Sequence, residues 1–308
     1  MKLTIFTPAY NREKLLVRLY ESLRCQTVKA FEWIIVDDAS TDNTKGVAEE
    51  FCKQKNGFDV FYYRQEHGGK HRAINYALEK ARGSFFFIVD SDDYLAENAV
   101  EYVLNWIETM EDNEELAGVA GLRISPRGNI WGLADNNVIK ELMGTYVDAS
   151  NFERKKYNLQ GDKAEVYRTE ILKKYALPEF EGEYFVTEAV CWDAIAAAGY
   201  KLRWVYEPIY IGDYLEDGLT KNGANELQGR INNYQGYCYF IRQSLEIVPI
   251  KEKMARFRAY NKTRKAMGKS ISEAASDLMI SKKEFIYNLC VVMPVVYVAR
   301  MVDKVMGK

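Results

Sequence analysis

The chain is 308 residues long, 48% hydrophobic and 28% charged, with a formal net charge of −2. That length holds one large domain with an appendage, or two modest domains, and the composition is that of a folded protein with no low-complexity stretch. Five scattered cysteines, Cys25, Cys52, Cys191, Cys238 and Cys290, lack any CxxC spacing, which argues for reduced thiols and against a zinc site or disulfide framework.

The opening MKLTIFTPAYNR has neither the apolar core nor the cleavage site of a signal peptide, so a cytoplasmic location is expected. Leu3 to Thr7 reads as a buried strand, broken by Pro8-Ala9-Tyr10-Asn11 before a helix from about Arg12 to Arg24. A second strand, Trp33 to Val36, delivers Asp37 and Asp38 to its carboxyl end, and Ser40-Thr41-Asp42 can cap the helix that follows. The third strand, Phe58 to Tyr63, leads through His67-Gly68-Gly69 into a helix from Lys70 to Ala81. Strands alternating with such helices predict repeated βαβ units and a mostly parallel sheet. Ligands of such sheets bind at the carboxyl edge.

There Asp37 and Asp38 are suited to a ribose hydroxyl or a base imide, or to capping a helix, and Tyr10 to stacking on a nucleobase or packing on a turn. The segment His67 to Arg72 places both histidines of the chain with Lys70 and Arg72 on a glycine turn that opens a helix. Backbone N–H groups and two cations make a diphosphate site there, or a solvated basic turn.

The fourth strand ends in the stretch SFFFIVDSDD, Ser84 to Asp93. Asp90, Asp92 and Asp93 would repel one another unless something positive lies between them. Oxygen ligands in so short a span suit Mg²⁺ or Mn²⁺ sharing phosphate oxygens; the other reading is an acidic turn before a helix from Glu97 to Met110.

Four segments in this order, Thr7 to Arg12, Val36 to Asp42, Gly68 to Asn75 and Asp90 to Asp93, resemble the signature of family 2 glycosyltransferases with the GT-A fold. The resemblance implies a Rossmann-like, mostly parallel sheet flanked by helices. Pro8, Tyr10, Arg12, Asp37 and Asp38 would surround the nucleoside of a nucleotide-sugar donor. Gly69, Lys70 and Asn75 would lie near its phosphates, with Asp90 and Ser91 also on the donor. Asp90-Ser91-Asp92 would match the family's DXD element, with Asp92 or Asp93 as the principal metal ligand. It also implies a catalytic acid four residues before a helical position often filled by Trp. With Trp192 as that landmark the matching residue is Glu188. Glu188 sits among Phe185, Val186, Ala189 and Val190, where partial desolvation would raise a carboxyl from about 4.3 toward the working pH; it also reads as a helix N-terminal glutamate.

Leu116 to Ile124 is another strand, and 125–160 reads as irregular, with Trp131, Tyr146 and Tyr157 as sugar-stacking or packing surfaces. Tyr210 to Thr220 reads as a loop over the site hinged at Gly218, or a surface turn. From Lys251 to Lys308 there are 13 Lys or Arg against 5 Asp or Glu, a balance of +8, which leaves −10 for residues 1–250. Residues 251–269 interleave eight cations with Met254, Phe257 and Tyr260, the composition of a helix lying on an anionic membrane. A nucleic-acid face is disfavoured by the acidic body. Phe285 to Ala299 is uncharged but too short to span a bilayer, and reads as a peripheral anchor or a homodimer interface.

The expected organisation is a glycosyltransferase domain over 1–222, divided into a nucleotide-sugar half (1–115) and an acceptor half (116–222), followed by a helical extension over 223–308. The expected activity is inverting, metal-dependent transfer from a UDP-sugar to a glycan or lipid-linked hydroxyl in bacterial surface polysaccharide synthesis, on the inner face of the cell membrane. A sugar nucleotidyltransferase would instead carry a glycine-rich loop where Pro8-Ala9-Tyr10-Asn11 stands, and a membrane-associated binding protein would keep the site without chemistry.

Overall fold

In the computed structural model, residues 1–133, 135–212 and 223–292 are described. The first half alternates as expected: β1 (Leu3–Ala9), α1 (Leu15–Arg24), β2 (Phe31–Asp37), α2 (Thr44–Lys53), β3 (Asp59–Arg64), α3 (Lys70–Lys80) and β4 (Phe85–Ile88). The strands lie side by side in the order β3-β2-β1-β4, all parallel. Their apolar runs are continuous because both faces are covered. Leu3, Ile5, Trp33 and Ile35 meet Leu16, Leu19 and Leu23 of α1 on one face. Phe6, Ile34, Val36 and Phe86 meet Ile74 and Ala77 of α3 on the other. Each of the buried Leu, Ile, Val and Phe side chains stabilises the fold by about 1.5–3 kcal/mol.

The second half continues the same sheet: β5 (Tyr94–Leu95), α4 (Ala99–Glu108), β6 (Leu116–Ile124), β7 (Tyr146–Ala149), β8 (Lys163–Arg168), α5 (Thr169–Lys174), α6 (Ala189–Ala197) and β9 (Lys201–Ile211). β8 runs antiparallel between β4 and β6, β9 is parallel to β6, and β5 and β7 both pair antiparallel with β9. The sheet is therefore mixed. Pro208, which cannot donate to a ladder, falls where β6 and β9 lose register. Residues 125–160, read as irregular, hold β7 and two 3₁₀ turns, Asn136–Leu142 and Asn151–Tyr157.

Among the described residues there follow α7 (Gly223–Asn232), α8 (Tyr234–Ile247), α9 (Ile250–Ala266), α10 (Ile271–Asp277) and α11 (Lys282–Tyr287), the last continued by a π-helical turn, Asn288–Val292. Helix α9 does not present the apolar face expected of a helix lying on a membrane. Met254, Phe257 and Tyr260 are fully buried, and the last two pack with Ile241, Leu278 and Phe285 in a core of their own. Without an apolar outer face α9 cannot insert into a bilayer as an amphipathic helix does. Arg256 pairs with buried Asp193 of α6, and Lys269 with Asp277 at 2.8 Å, so part of the positive charge is spent internally. Among the described residues no helix is long and apolar enough to cross a membrane. Residues 213–220, with Gly218, and 293–299 lie outside the described residues, so neither the expected loop closure nor most of the uncharged segment can be placed.

Candidate active site

The carboxyl ends of β1, β2 and β4 open on one crevice. The chain leaves β1 through Tyr10 and Asn11, the latter at φ 54°, and the Asn11 Oδ1 accepts from the Thr41 amide at 2.8 Å, tying the first two loops together. Pro8 is half-buried at this exit, and the Arg12 amide donates to Thr44 Oγ1 at 2.8 Å. Asp37 is fully buried, and its oxygens accept from the Ser40 amide (2.8 Å), Tyr62 hydroxyl (2.7 Å) and Arg64 (3.1 Å). Asp38 accepts from Gln65 (2.7 Å) and from the Gly68 and Gly69 amides (2.7 and 2.9 Å), with His67 Nδ1 2.9 Å away. Both aspartates thus shape the loops that line the crevice.

Gly69 is required twice over. Its φ is 86°, and a Cβ there would lie 1.8 Å from the Tyr184 carbonyl oxygen. That close approach brings a loop of the second half onto the glycine turn. Lys70 then points into the crevice, where its Nζ lies 2.7 Å from Asp90 and 2.9 Å from Glu188. Burial would lower the Lys70 pKa, but the two carboxylates outweigh it and hold the ammonium firmly charged. Burial likewise pushes Asp90 up, and Lys70, with Arg123 and Arg12 behind it, brings it below the ordinary carboxylate value.

Arg72 and Asn75 go elsewhere. Arg72 donates to the Phe180 carbonyl at 2.6 Å; Asn75 donates to the Leu177 carbonyl at 2.8 Å and accepts from its amide at 3.1 Å. They fasten the loop before α6 instead of joining Lys70. His71 is buried with no hydrogen-bond partner for its ring among the described residues, and burial lowers its pKa. His67 stacks between Tyr10 (4.7 Å between ring centroids) and Tyr184 (4.8 Å). Tyr10 is 44% exposed, so one of its faces carries the imidazole while the ring still reaches solvent.

The acids after β4 separate into different roles. Asp90 reaches Lys70, and its amide donates to the Tyr210 hydroxyl at 2.9 Å. Ser91 is buried. Asp93 is 1% exposed, pressed against Gly212 and paired with Arg123 at 2.8 Å. Its pKa is nevertheless pushed up to about 7, because burial outweighs the guanidinium and Asp90 and Asp92 add repulsion. Its burial against Arg123 sets Asp93 apart from the metal role offered for it above, whereas Asp92 is only half-buried. Among the described residues no three His, Cys, Asp or Glu side chains form a ready-made cage. Mg²⁺ or Mn²⁺ held by one or two carboxylates and completed by phosphate oxygens needs none, and Asp92 with Asp90 suits that donor set.

Glu188 stands at the N-terminus of α6; its carboxylate meets the Lys70 ammonium and also lines a small cavity with Ile74, Leu172, Leu177 and Trp192. Trp192 one turn on stacks against Tyr167 at 4.5 Å. Of the aromatic surfaces named from sequence, Trp131 is buried beneath Arg123 (3.8 Å to the ring centroid), and Tyr146, 57% exposed, lies under Arg203. Two aromatics shortly before Glu188 in the chain are exposed: Phe185, read from sequence only as one of its apolar neighbours, and Tyr184, which sequence reasoning passed over. Arg123 was missed too; a lone cation closing the apolar run of β6 was its signal.

A Rossmann-like half that contributes Lys70, Asp90 and Asp92 thus faces the carboxylate of Glu188 from the second half. The chain belongs to glycosyl transferase family 2, whose pattern matches residues 4–176. It is similar to glycosyltransferase GlyG of Streptococcus pneumoniae, 35% identical over 106 residues, a match that spans 34% of this chain and 35% of that protein. It is 26% identical over 269 residues to the GalNAc(5)-diNAcBac-PP-undecaprenol beta-1,3-glucosyltransferase of Campylobacter jejuni, covering 85% of this chain and 79% of that one. Among solved structures its fold resembles residues 1–349 of Staphylococcus aureus TarS in complex with UDP (TM-score 0.58, 21% identity, covering 98% and 88% of the two chains). It also resembles the mannosyltransferase PcManGT of Pyrobaculum calidifontis with GDP-Man and Mn²⁺ (TM-score 0.55, 18% identity, covering 100% and 88%).

Proposed function

We propose that this protein is an inverting, metal-dependent glycosyltransferase that moves a sugar from a UDP-sugar to a hydroxyl of a glycan or lipid-linked acceptor during bacterial surface polysaccharide synthesis. The observation that carries the reading is the position of Lys70 between Asp90 and Glu188, at 2.7 and 2.9 Å. One cation there serves both the donor's leaving group and the acid that faces it. UDP in the TarS complex and the lipid-linked substrate named for the C. jejuni relative support the donor and acceptor classes.

In the reaction Glu188 accepts the proton of the acceptor hydroxyl as its oxygen forms a bond to the anomeric carbon. The bond from that carbon to the diphosphate breaks on the opposite face, its electron pair leaves with the diphosphate, and one displacement inverts the centre. Lys70 stabilises the charge that builds on the leaving group. Asp92 and Asp90 would hold Mg²⁺ or Mn²⁺, which supplies further electrostatic stabilisation of that group when bound. Tyr10 offers its exposed face to the base, and Asp37 and Asp38 keep the surrounding loops in place. The helices that follow residue 222 carry exposed Lys262 and Lys265, which would rest on an anionic inner membrane surface.

Thermal melting of the purified protein tests the donor class, because a ligand bound only by the folded state raises the melting temperature. UDP with Mn²⁺ is expected to raise it, and GDP with Mn²⁺ to leave it unchanged. A shift with GDP alone would reassign the base; no shift with any nucleotide would overturn the reading.

A further inference from the structure

Residues 176–188, between α5 and α6, contain no helix or strand, yet they carry Glu188 to within 2.9 Å of Lys70. What fixes them is a reciprocal cap at the head of α8. Asn233 Oδ1 accepts from the Tyr184 and Phe185 amides at 2.8 and 2.9 Å. In return the carboxylate of Glu183, itself 6% exposed, accepts from the Gln235 and Gly236 amides at 2.6 and 2.8 Å. A carboxylate on the first amides of a helix is favoured by charge-assisted hydrogen bonds and by the helix dipole together. The approach is close: a Cβ on Gly236 would lie 3.0 Å from the Val186 side chain and 3.2 Å from Glu183 Oε2.

The grip continues beyond Glu188. Gln243 of α8 donates to the Val190 carbonyl at 3.1 Å, and Arg256 of α9 pairs with Asp193. The same C-terminal helices therefore hold the chain just before and just after Glu188. On its other side the loop rests on Gly69 and on the bonds from Arg72 and Asn75. Catalysis by a general base is lost over displacements of about an ångström.

We infer that Glu183 and Asn233 are positioning residues for Glu188, so that the C-terminal helices act as part of the catalytic site. The inference rests on the reading of Glu188 as the base. The test uses the full chain and compares Asn233→Ala and Glu183→Gln in the natural background and in Glu188→Gln.

Asn233→Ala should lower kcat about 10- to 100-fold while KM for the sugar nucleotide and the melting shift given by UDP with Mn²⁺ stay near the natural values. Glu183→Gln, which keeps one acceptor oxygen, should lose less. In the Glu188→Gln background neither change should lower the residual rate further, because the group they position is already gone. A folded Asn233→Ala enzyme with unchanged kcat overturns the inference, as does an equal loss in both backgrounds. If the natural protein turns over no sugar nucleotide although UDP binds, the base assignment fails instead, and amide hydrogen exchange decides the latch. Residues 184–188 should then exchange faster in Asn233→Ala while β4 does not, and unchanged exchange overturns the latch.

Discussion

The two sides of the crevice are built by different means. On the donor side Asp37, Asp38, Lys70 and Asp90 each sit at the end of a strand or the start of a helix, so a parallel sheet of four strands sets their spacing. On the opposite side Glu188 arrives on a stretch without regular structure, and its place depends on Lys70, Gly69 and the head of α8. A site made from strand ends is specified locally. A site made from a clamped loop is specified by residues more than a hundred positions away, such as Gly69, or in another helix.

The largest effect that would break this contrast is chemical. Glu188→Gln should reduce transfer by about 10²- to 10⁴-fold while UDP still raises the melting temperature, and Asp92→Ala should abolish the Mn²⁺-dependent part of that rise. Calorimetric melting with and without ligand, beside a transfer assay, separates the two. Equal loss of nucleotide binding in both variants would mean that the sides are not functionally distinct.

Next comes the clamp itself. Removing one partner of a buried pair leaves the other charge uncompensated, so Arg256→Ala, which strands Asp193, should destabilise the protein by about 3 kcal/mol. Denaturant unfolding checks the size. Loss of transfer exceeding loss of UDP binding in this variant would sharpen the case that the helices serve the acceptor side.

The smallest effect concerns pH. Burial pushes Glu165 of β8 up to about 7 against the pull of Arg154. The folded state therefore favours the protonated acid, and stability contributed by that proton is full below the unfolded value of about 4 and is lost as pH rises toward 7. Denaturant unfolding at pH 5, 6, 7 and 8 should show a shallower decline for Glu165→Gln than for the natural chain. A Gln variant with the same slope would remove Glu165 as its source.

Much of the donor side was legible because its signals are local. Apolar runs ending in Asp37-Asp38 and in Asp90-Ser91-Asp92, and a glycine turn before Lys70, follow from strand period and helix-terminus chemistry alone. Where Asp93 and Asn75 turn was not legible, since adjacent residues on a turn diverge according to what packs beneath them; Arg123 from β6 claims the first and the Leu177 backbone the second. The composition of α9 also misled. Cations beside Met254, Phe257 and Tyr260 look the same whether the apolar residues face lipid or a neighbouring helix, and here they face Phe285 and Ile241. The Glu183–Asn233 cap had no sequence signal, because neither residue is unusual until α8 is laid against the loop.

The pairing of Phe85 to Phe87 with Val166 to Arg168 also bears on how the protein is made. On the ribosome β1 and β4 emerge early, but the strand that covers the outer edge of β4 is synthesised some 80 residues later. In the interval three consecutive phenylalanines offer a bare ladder of N–H and C=O groups, the kind of template on which chains associate with one another. The first 115 residues thus lack the strand that completes their sheet. Severed there, the polypeptide would expose that edge to its own copies, with nothing but another chain to pair it.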